Sequence, residues 1–178
     1  RDDNGLDADI NIRTHDIATL GLWGPKAVNA LGNFIDPNEI DIQNFPFVTA
    51  KNLTLNLSGG KKVDVWAARI SYVGESGWEI YFNNNKDDGL ALYDSLLEVG
   101  VVPVGIETYA NSRRLEKSFR LQGADLETEY TAIEAAIQRP LVKEADFHGK
   151  AAHLSHREED PCAILCTMTL DDLNVSGV

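Results

Sequence analysis

ARISYVGESGWEIYF, residues 68–82, is the stretch that decides the fold. Apolar and polar residues alternate in its first part, and a second β-rich run follows at residues 78–82. The four residues between the runs, Gly74-Glu75-Ser76-Gly77, include two glycines, which adopt positive φ angles at little cost. Two such runs around a short glycine-containing link predict a β-hairpin.

Glu79 lies in the second run, between Trp78 and Ile80. A carboxylate that is buried without a partner is costly, so Glu79 needs either water or a hydrogen-bond donor. Period-two alternation favours a place on the solvent face of the strand, opposite its two apolar neighbours. A ligand-binding role is the second interpretation. We expect Trp78 itself to pack in the core.

The segment Tyr72–Glu79 resembles the Y-x-G-E-x-G-[FWY]-E signature of the glycine-cleavage T protein superfamily. Residues Leu20–Ala27 are similar to its L-x-G-P-x-A junction between a strand and a helix. Four further blocks follow in the order of the family, and together they make the resemblance specific. These blocks are Ser112–Lys117, Gly123–Asp125, Thr131–Ala135 and Val142–Lys150.

The resemblance implies tetrahydrofolate-dependent one-carbon transfer. Segments 45–47, 69–75 and 115–120 look more like the folate-binding domains of dimethylglycine and sarcosine dehydrogenases, flavoproteins that oxidise N-methyl amines. The resemblance further implies that Glu79 hydrogen-bonds the pterin ring and that Tyr72 lines the pocket. Tyr109 and Arg114 complete the expected cofactor-binding set. The catalytic residue stays unknown, because the family's catalytic aspartate belongs to an upstream segment that we do not find here.

One departure from the family pattern keeps two alternatives open. Tyr109-Ala110-Asn111 stands where glycine-cleavage proteins carry an A-R-D block, so an arginine that helps to hold folate is missing. The first alternative is a non-catalytic folate-sensing or scaffold module. The second is a glycine-cleavage T protein proper, which would depend on a lipoyl carrier protein.

Composition excludes some classes of function. The formal net charge of -12 over 178 residues makes nucleic acid an unfavourable partner. No apolar run reaches the roughly 20 residues of a membrane-spanning helix. Only two cysteines occur, which favours a reducing compartment: the cytoplasm, or the mitochondrial matrix in a eukaryote. If Cys162 and Cys166 lie on one strand, about 13 Å separates them, too far to bridge or to share a metal. We predict no metal site.

The predicted fold class is α+β, with mixed and antiparallel sheets packed by helices. We expect a folate-binding domain over residues 1–156, lacking its N-terminal part, and the start of a C-terminal β-barrel over 157–178. Both chain ends then look cut, which makes an upstream flavin domain or an oligomer a plausible partner. FAD is expected only in that upstream domain, and the amine donor is a small N-methyl amine. Strands are expected at 9–13, 17–23, 53–57, 63–72 and 161–170, and helices at 25–31, 89–99, 107–119 and near 151. Asp87 or Asp88 is expected to cap the helix at 89–99, and Arg113, Lys117 and Arg120 to share one face of the helix at 107–119. Thr131–Glu134 has the spacing of a capping box, residues 33–44 are expected to form a loop, and residues 153–160 a polar linker.

Overall fold

The computed structural model describes residues 9–137 and 141–171. The chain divides into two compact units, the first ending at Gly105 and the second beginning at Ile106. Each unit is described by itself. The first carries the hairpin stretch, and the second carries Tyr109 and Arg114.

The first unit is built on one antiparallel sheet of four strands, in the order β1-β4-β3-β2. The strands are β1 (Ile17–Trp23), β2 (Ala50–Asn56), β3 (Lys62–Ala68) and β4 (Gly77–Asn83). The predicted hairpin is confirmed, because β3 and β4 pair in antiparallel fashion. Its link is longer than expected, since β3 ends at Ala68 and residues 69–76 form irregular bends.

One face of this sheet carries the hydrophobic core. Trp78 and Ile80 of β4 are both 0% exposed, as the alternation predicted. Helices α1 (Ala27–Leu31), α2 (Pro37–Ile40) and α3 (Lys86–Glu98) belong to the same unit. They add the buried Leu31, Ile40 and Leu92 to that core cluster. The combination of helices with an antiparallel sheet confirms the α+β class.

Arg69 is the first residue of the link between β3 and β4, and it is only 6% exposed. Its Nη1 donates hydrogen bonds to the backbone carbonyls of Ile40, Asp41 and Phe45, at 3.0, 3.0 and 2.7 Å. Its guanidinium carbon lies 5.0 Å from the centre of the Trp78 ring. Burial lowers the pKa of Arg69, and the nearby charge of Asp41 opposes that shift. This side chain therefore fastens the link to the loop after α2.

The second unit contains little regular structure. It begins with a helical segment whose first part, Thr108–Arg113, is π-helical and whose last part is α4 (Arg114–Glu116). Its other helix is α5 (Lys150–Glu158). The capping-box spacing seen at Thr131 is confirmed: Thr131 N donates to Glu134 Oε2, and Glu134 N donates to Thr131 Oγ1. The motif closes a turn here rather than opening a helix.

Several local predictions are wrong. Residues 161–170 are irregular rather than a strand, so the barrel start is not confirmed, and 172–178 lie outside the described residues. Cys162 and Cys166 therefore do not lie on one strand, and the separation expected from strand geometry does not apply to them. Both are exposed and free. Residues 9–13 also form no strand. Residues 153–158 belong to α5, not to a polar linker. The sequence did not reveal this helix, because it has too few apolar side chains to show a helical period.

Helix ends also differ from the prediction. Asn85, rather than an aspartate, caps α3 by accepting a hydrogen bond from Asp88 N. Residues 33–44 were expected to be a loop, yet Asp36 caps the short α2 inside it. The second helix stops at Glu116, and Ser118 has a φ of 58°. Arg120 is therefore off the helical face that was predicted to carry it. No helix among the described residues is both long and apolar enough to cross a membrane.

Candidate functional site

Glu79 lies on the face of the sheet opposite the core. It is half-buried, and its register partners are Gly21 on β1 and Ala68 on β3. Paired residues in an antiparallel sheet project from the same face, so glycine and alanine flank the carboxylate. Neither neighbour places a large side chain of its own beside Glu79, and both interpretations of Glu79 drawn from the sequence agree with that placement.

Tyr81 follows Glu79 on the same face, and its hydroxyl donates a hydrogen bond to Glu79 Oε2. Its ring centre lies 5.1 Å from that of Trp66 on β3, at an angle of 56°. Both aromatic residues line an open groove of about 630 Å³, together with Asp64, whose carboxylate accepts a hydrogen bond from Thr54 at 2.6 Å. This face of the sheet thus combines aromatic surface with hydrogen-bonding groups.

Trp23, the last residue of β1, also belongs to this face. Its indole Nε1 donates to the carbonyl of Ile70 at 2.9 Å. The six-membered part of the indole lies over Gly21: a Cβ at position 21 would overlap Cη2 and Cζ3 of the ring and stand 2.9 Å from Cζ2. Gly21 thus accommodates a ring that any larger residue would displace.

Tyr72 is half-buried in the link between β3 and β4. That link ends at Gly77, where a Cβ would overlap the carbonyl oxygen of Leu22. Tyr72 and Glu79 belong to the same compact unit and are seven residues apart in sequence. The role of Tyr72 toward a ligand stays a prediction.

Tyr109 and Arg114 belong to the second unit. Tyr109 is half-buried within the π-helical segment. Arg114 is 7% exposed, and its Nε donates to the carbonyl of Ala110 at 2.8 Å. Its Nη1 donates to the carbonyl of Phe119 at 3.1 Å and forms an ion pair with Asp125. These contacts hold the turn that follows α4, and a role for either residue in cofactor binding stays a prediction.

The stabilisation that Asp125 gives to the folded state depends on pH. The backbone N–H of Leu121, 2.9 Å from Oδ2, is the main reason that the pKa of Asp125 lies below its ordinary value, and Arg114 lowers it further. A lowered folded-state pKa means that the stabilisation is complete above the ordinary value of 3.8 and is lost as the pH falls through the folded value.

We therefore expect Asp125→Asn to lower the free energy of unfolding of the second unit by about 1–2 kcal/mol at pH 7. The loss should shrink at an acidic pH well below the ordinary value of 3.8, once Asp125 in the parent protein is itself protonated. Urea unfolding at both pH values measures this, with the exposed Asp146→Asn as the matched control. An Asp125→Asn effect that is equal at both pH values would contradict the assignment.

No group of three or more His, Cys, Asp or Glu side chains among the described residues is placed to hold a metal ion. The sequence singled out Glu79 and Tyr72 through a motif, but not Gly21, Trp23 and Tyr81, which the structure places around Glu79. Tyr81 could have been found, because it is two residues from Glu79 on the same strand. Gly21 and Trp23 could not, since only the pairing of β1 with β4 brings them to Glu79.

Comparison with known proteins adds three findings. A model of the family described as the GCVT N-terminal domain matches residues 1–144. The mitochondrial dimethylglycine dehydrogenase of Homo sapiens is 33% identical over 181 residues, covering 97% of this chain and 20% of the relative. The aminomethyltransferase of Bacillus subtilis is 30% identical over 160 residues, covering 86% and 41%. The chain thus spans about a fifth of the first relative and about two fifths of the second.

Proposed function

The chain belongs to the family of GCVT N-terminal domains, and from that premise we propose that it binds tetrahydrofolate through Glu79 and serves folate-dependent one-carbon transfer. Membership confirms the resemblance drawn from Tyr72–Glu79 and the blocks that follow it. The observation that supports the proposed site is the placement of Glu79: half-buried, on the open face of the sheet, between Gly21 and Ala68.

Glu79 suits the edge of a pterin ring. An ionised carboxylate has two acceptor oxygens, and it can receive two parallel N–H bonds from an amino-amidine edge. The hydrogen bond from the Tyr81 hydroxyl restrains the carboxylate and fixes its orientation. Bound folate would supply the N5 amine that accepts the one-carbon unit. The residues of this chain hold the ring in place and exclude water from one side of it.

The finer proposal is that the chain is the folate-binding part of an N-methyl amine dehydrogenase. The similarity to dimethylglycine dehydrogenase supports this, as does the absence of the A-R-D arginine at Tyr109-Ala110-Asn111. An N-methyl amine such as sarcosine or dimethylglycine is then the donor, and FAD belongs to a further domain of the parent protein. The proposed compartment is reducing, either the cytoplasm or a mitochondrial matrix.

A non-catalytic folate-sensing or scaffold module is the second candidate. It is favoured by the departure from the family's A-R-D block, since Tyr109-Ala110-Asn111 carries no arginine to help to hold folate. A glycine-cleavage T protein is the third candidate, and it requires activity with a lipoyl carrier protein. Assays of sarcosine or dimethylglycine turnover distinguish the first candidate from the other two.

We expect Glu79→Gln to weaken tetrahydrofolate binding by a factor of about 30 or more. A glutamine turns one acceptor oxygen into a donor that faces the ligand's own N–H groups, and a hydrogen bond to a charged group contributes about 1.5–3 kcal/mol. Titration of the protein with tetrahydrofolate, followed by intrinsic fluorescence, measures the affinity.

Glu98→Gln is the matched control, because it makes the same charge change at an exposed position of α3. Equal affinity of Glu79→Gln and the parent protein would sink the assignment of Glu79. Lack of saturable binding by the folded parent protein would sink the proposal of folate binding itself.

A further inference from the structure

We propose that the indole of Trp23 is the stacking surface of the site whose hydrogen-bonding group is Glu79. This inference rests on the proposed function, and it assigns to that site a residue that lies outside the Tyr72–Glu79 signature, at a variable position of the L-x-G-P-x-A junction. The ligand class that it selects is a flat bicyclic heterocycle with adjacent N–H donors on one edge.

The register places the indole beside the carboxylate. Gly21 pairs directly with Glu79 across β1 and β4. The Cβ positions of such a pair stand about 4.5–5.5 Å apart. The six-membered ring of Trp23 occupies the place of the missing Cβ of Gly21. The ring therefore fills the space next to Glu79 that a side chain at position 21 would otherwise take.

The indole is held in this position from a second direction. Its Nε1–H donates to the carbonyl of Ile70, which lies in the link that leads to Tyr72. A hydrogen bond at one edge fixes the rotation of a ring that has only two side-chain torsions. Trp23 is nevertheless half-buried rather than enclosed, and Gly21 beneath it is exposed. A ligand can thus approach from solvent.

The ring face of Trp23 and the carboxylate of Glu79 form a site with two points of contact. Aromatic rings attract one another in offset-stacked and edge-to-face arrangements, and an indole presents a large surface for both. A carboxylate next to it receives N–H groups and repels anionic edges. A planar heterocycle with an amino-amidine edge satisfies both features at once, whereas a free carboxylate or phosphate satisfies neither.

A purely structural role is the competing explanation. The bond from Trp23 to Ile70 could serve only to fasten the link to β1. The two roles differ in what they predict: loss of a fastener lowers stability and disturbs Glu79 indirectly, whereas loss of a stacking surface weakens ligand affinity in a folded protein. Variants that keep one property and remove the other separate them.

The test compares three variants by titration with tetrahydrofolate. Trp23→Leu removes the aromatic surface and should weaken binding about tenfold. Trp23→Phe keeps a ring but loses the bond to Ile70, so it should recover most of that affinity. Gly21→Ala changes no functional group, but its methyl displaces the indole, and it should weaken binding as Trp23→Leu does. Tyr93→Leu, which removes an exposed aromatic side chain from α3, is the control.

A direct readout complements affinity. The chain has three tryptophans, so 5-fluorotryptophan labelling gives three fluorine NMR signals, and the Trp23→Phe variant identifies that of residue 23. Tetrahydrofolate should shift the Trp23 signal in the parent protein. A bound state that depends on Glu79 but leaves this signal and the Trp23→Leu affinity unchanged would overturn the inference alone. Absence of binding to the folded parent protein would overturn it together with the proposed function.

Discussion

Gly77→Ala is expected to lower the free energy of unfolding of the first unit by about 3 kcal/mol or more. Gly77 has a φ of +153°, a backbone angle that L-residues with a side chain rarely adopt. An added Cβ would overlap the carbonyl oxygen of Leu22 and stand 2.8 Å from the Cα of Trp23. Both obstacles are backbone atoms of β1, so relief requires β1 and β4 to separate at this point.

The control for Gly77 is Gly60→Ala. Gly60 also has a positive φ, +81°, but no atom lies within 4 Å of its Cβ position. We expect this change to cost only the backbone strain of about 1–2 kcal/mol. Thermal and urea unfolding measure both variants. A Gly77→Ala protein as stable as the Gly60→Ala protein would show that β1 does not approach position 77 so closely.

Arg69→Met is expected to destabilise the first unit by about 3–5 kcal/mol. Methionine preserves much of the aliphatic stem but removes the donor of three backbone carbonyls, those of Ile40, Asp41 and Phe45. Buried carbonyls that lose their partner pay the full cost of desolvation. The contact of the guanidinium with the Trp78 ring is lost as well.

Arg13→Met provides the comparison, since Arg13 is exposed and, within the described part of the chain, its side chain pairs with Asp16 at the surface. Such pairs contribute about 0–1 kcal/mol, so this variant should unfold almost as the parent does. Urea unfolding followed by circular dichroism measures the difference between the two arginine variants. Similar free energies of unfolding for both would contradict the role assigned to Arg69.

The hairpin and its inward-facing residues were predictable because their signals are local. Alternation alone placed Trp78 and Ile80 in the core, and glycines marked the link. The length of that link was not predictable: residues 69–72 continue the alternation, but Arg69 leaves the strand to reach carbonyls that lie about 25 residues earlier in the chain. A tertiary contact therefore overrode the local pattern.

The predicted strand at the apolar residues 161–170 was wrong because a strand partner is lacking in the described part of the chain, not because a tertiary contact intervened. Their composition favours a strand, yet a strand needs a paired neighbour, and no strand among the described residues pairs with this segment. The candidate site also combines residues that a local pattern indicates with residues that only tertiary structure brings in. Motif matching identified Glu79 and Tyr72, which lie close together in sequence. Trp23 and Gly21 became visible only through the register of β1 against β4, which no local pattern contains.

The order of the strands has a consequence for how the first unit folds. β2, β3 and β4 follow one another in the chain and pair with their sequence neighbours, whereas β1 pairs, among the four described strands, with β4, the last of them in sequence. Closing that long loop costs more entropy than forming the adjacent hairpins, so β1 is expected to dock late. Glu79 would then gain Gly21 and Trp23 in the final step. A nascent chain thus acquires the proposed binding surface only when the sheet is complete, and a ligand that contacts both strands would favour the finished sheet over its three-stranded precursor.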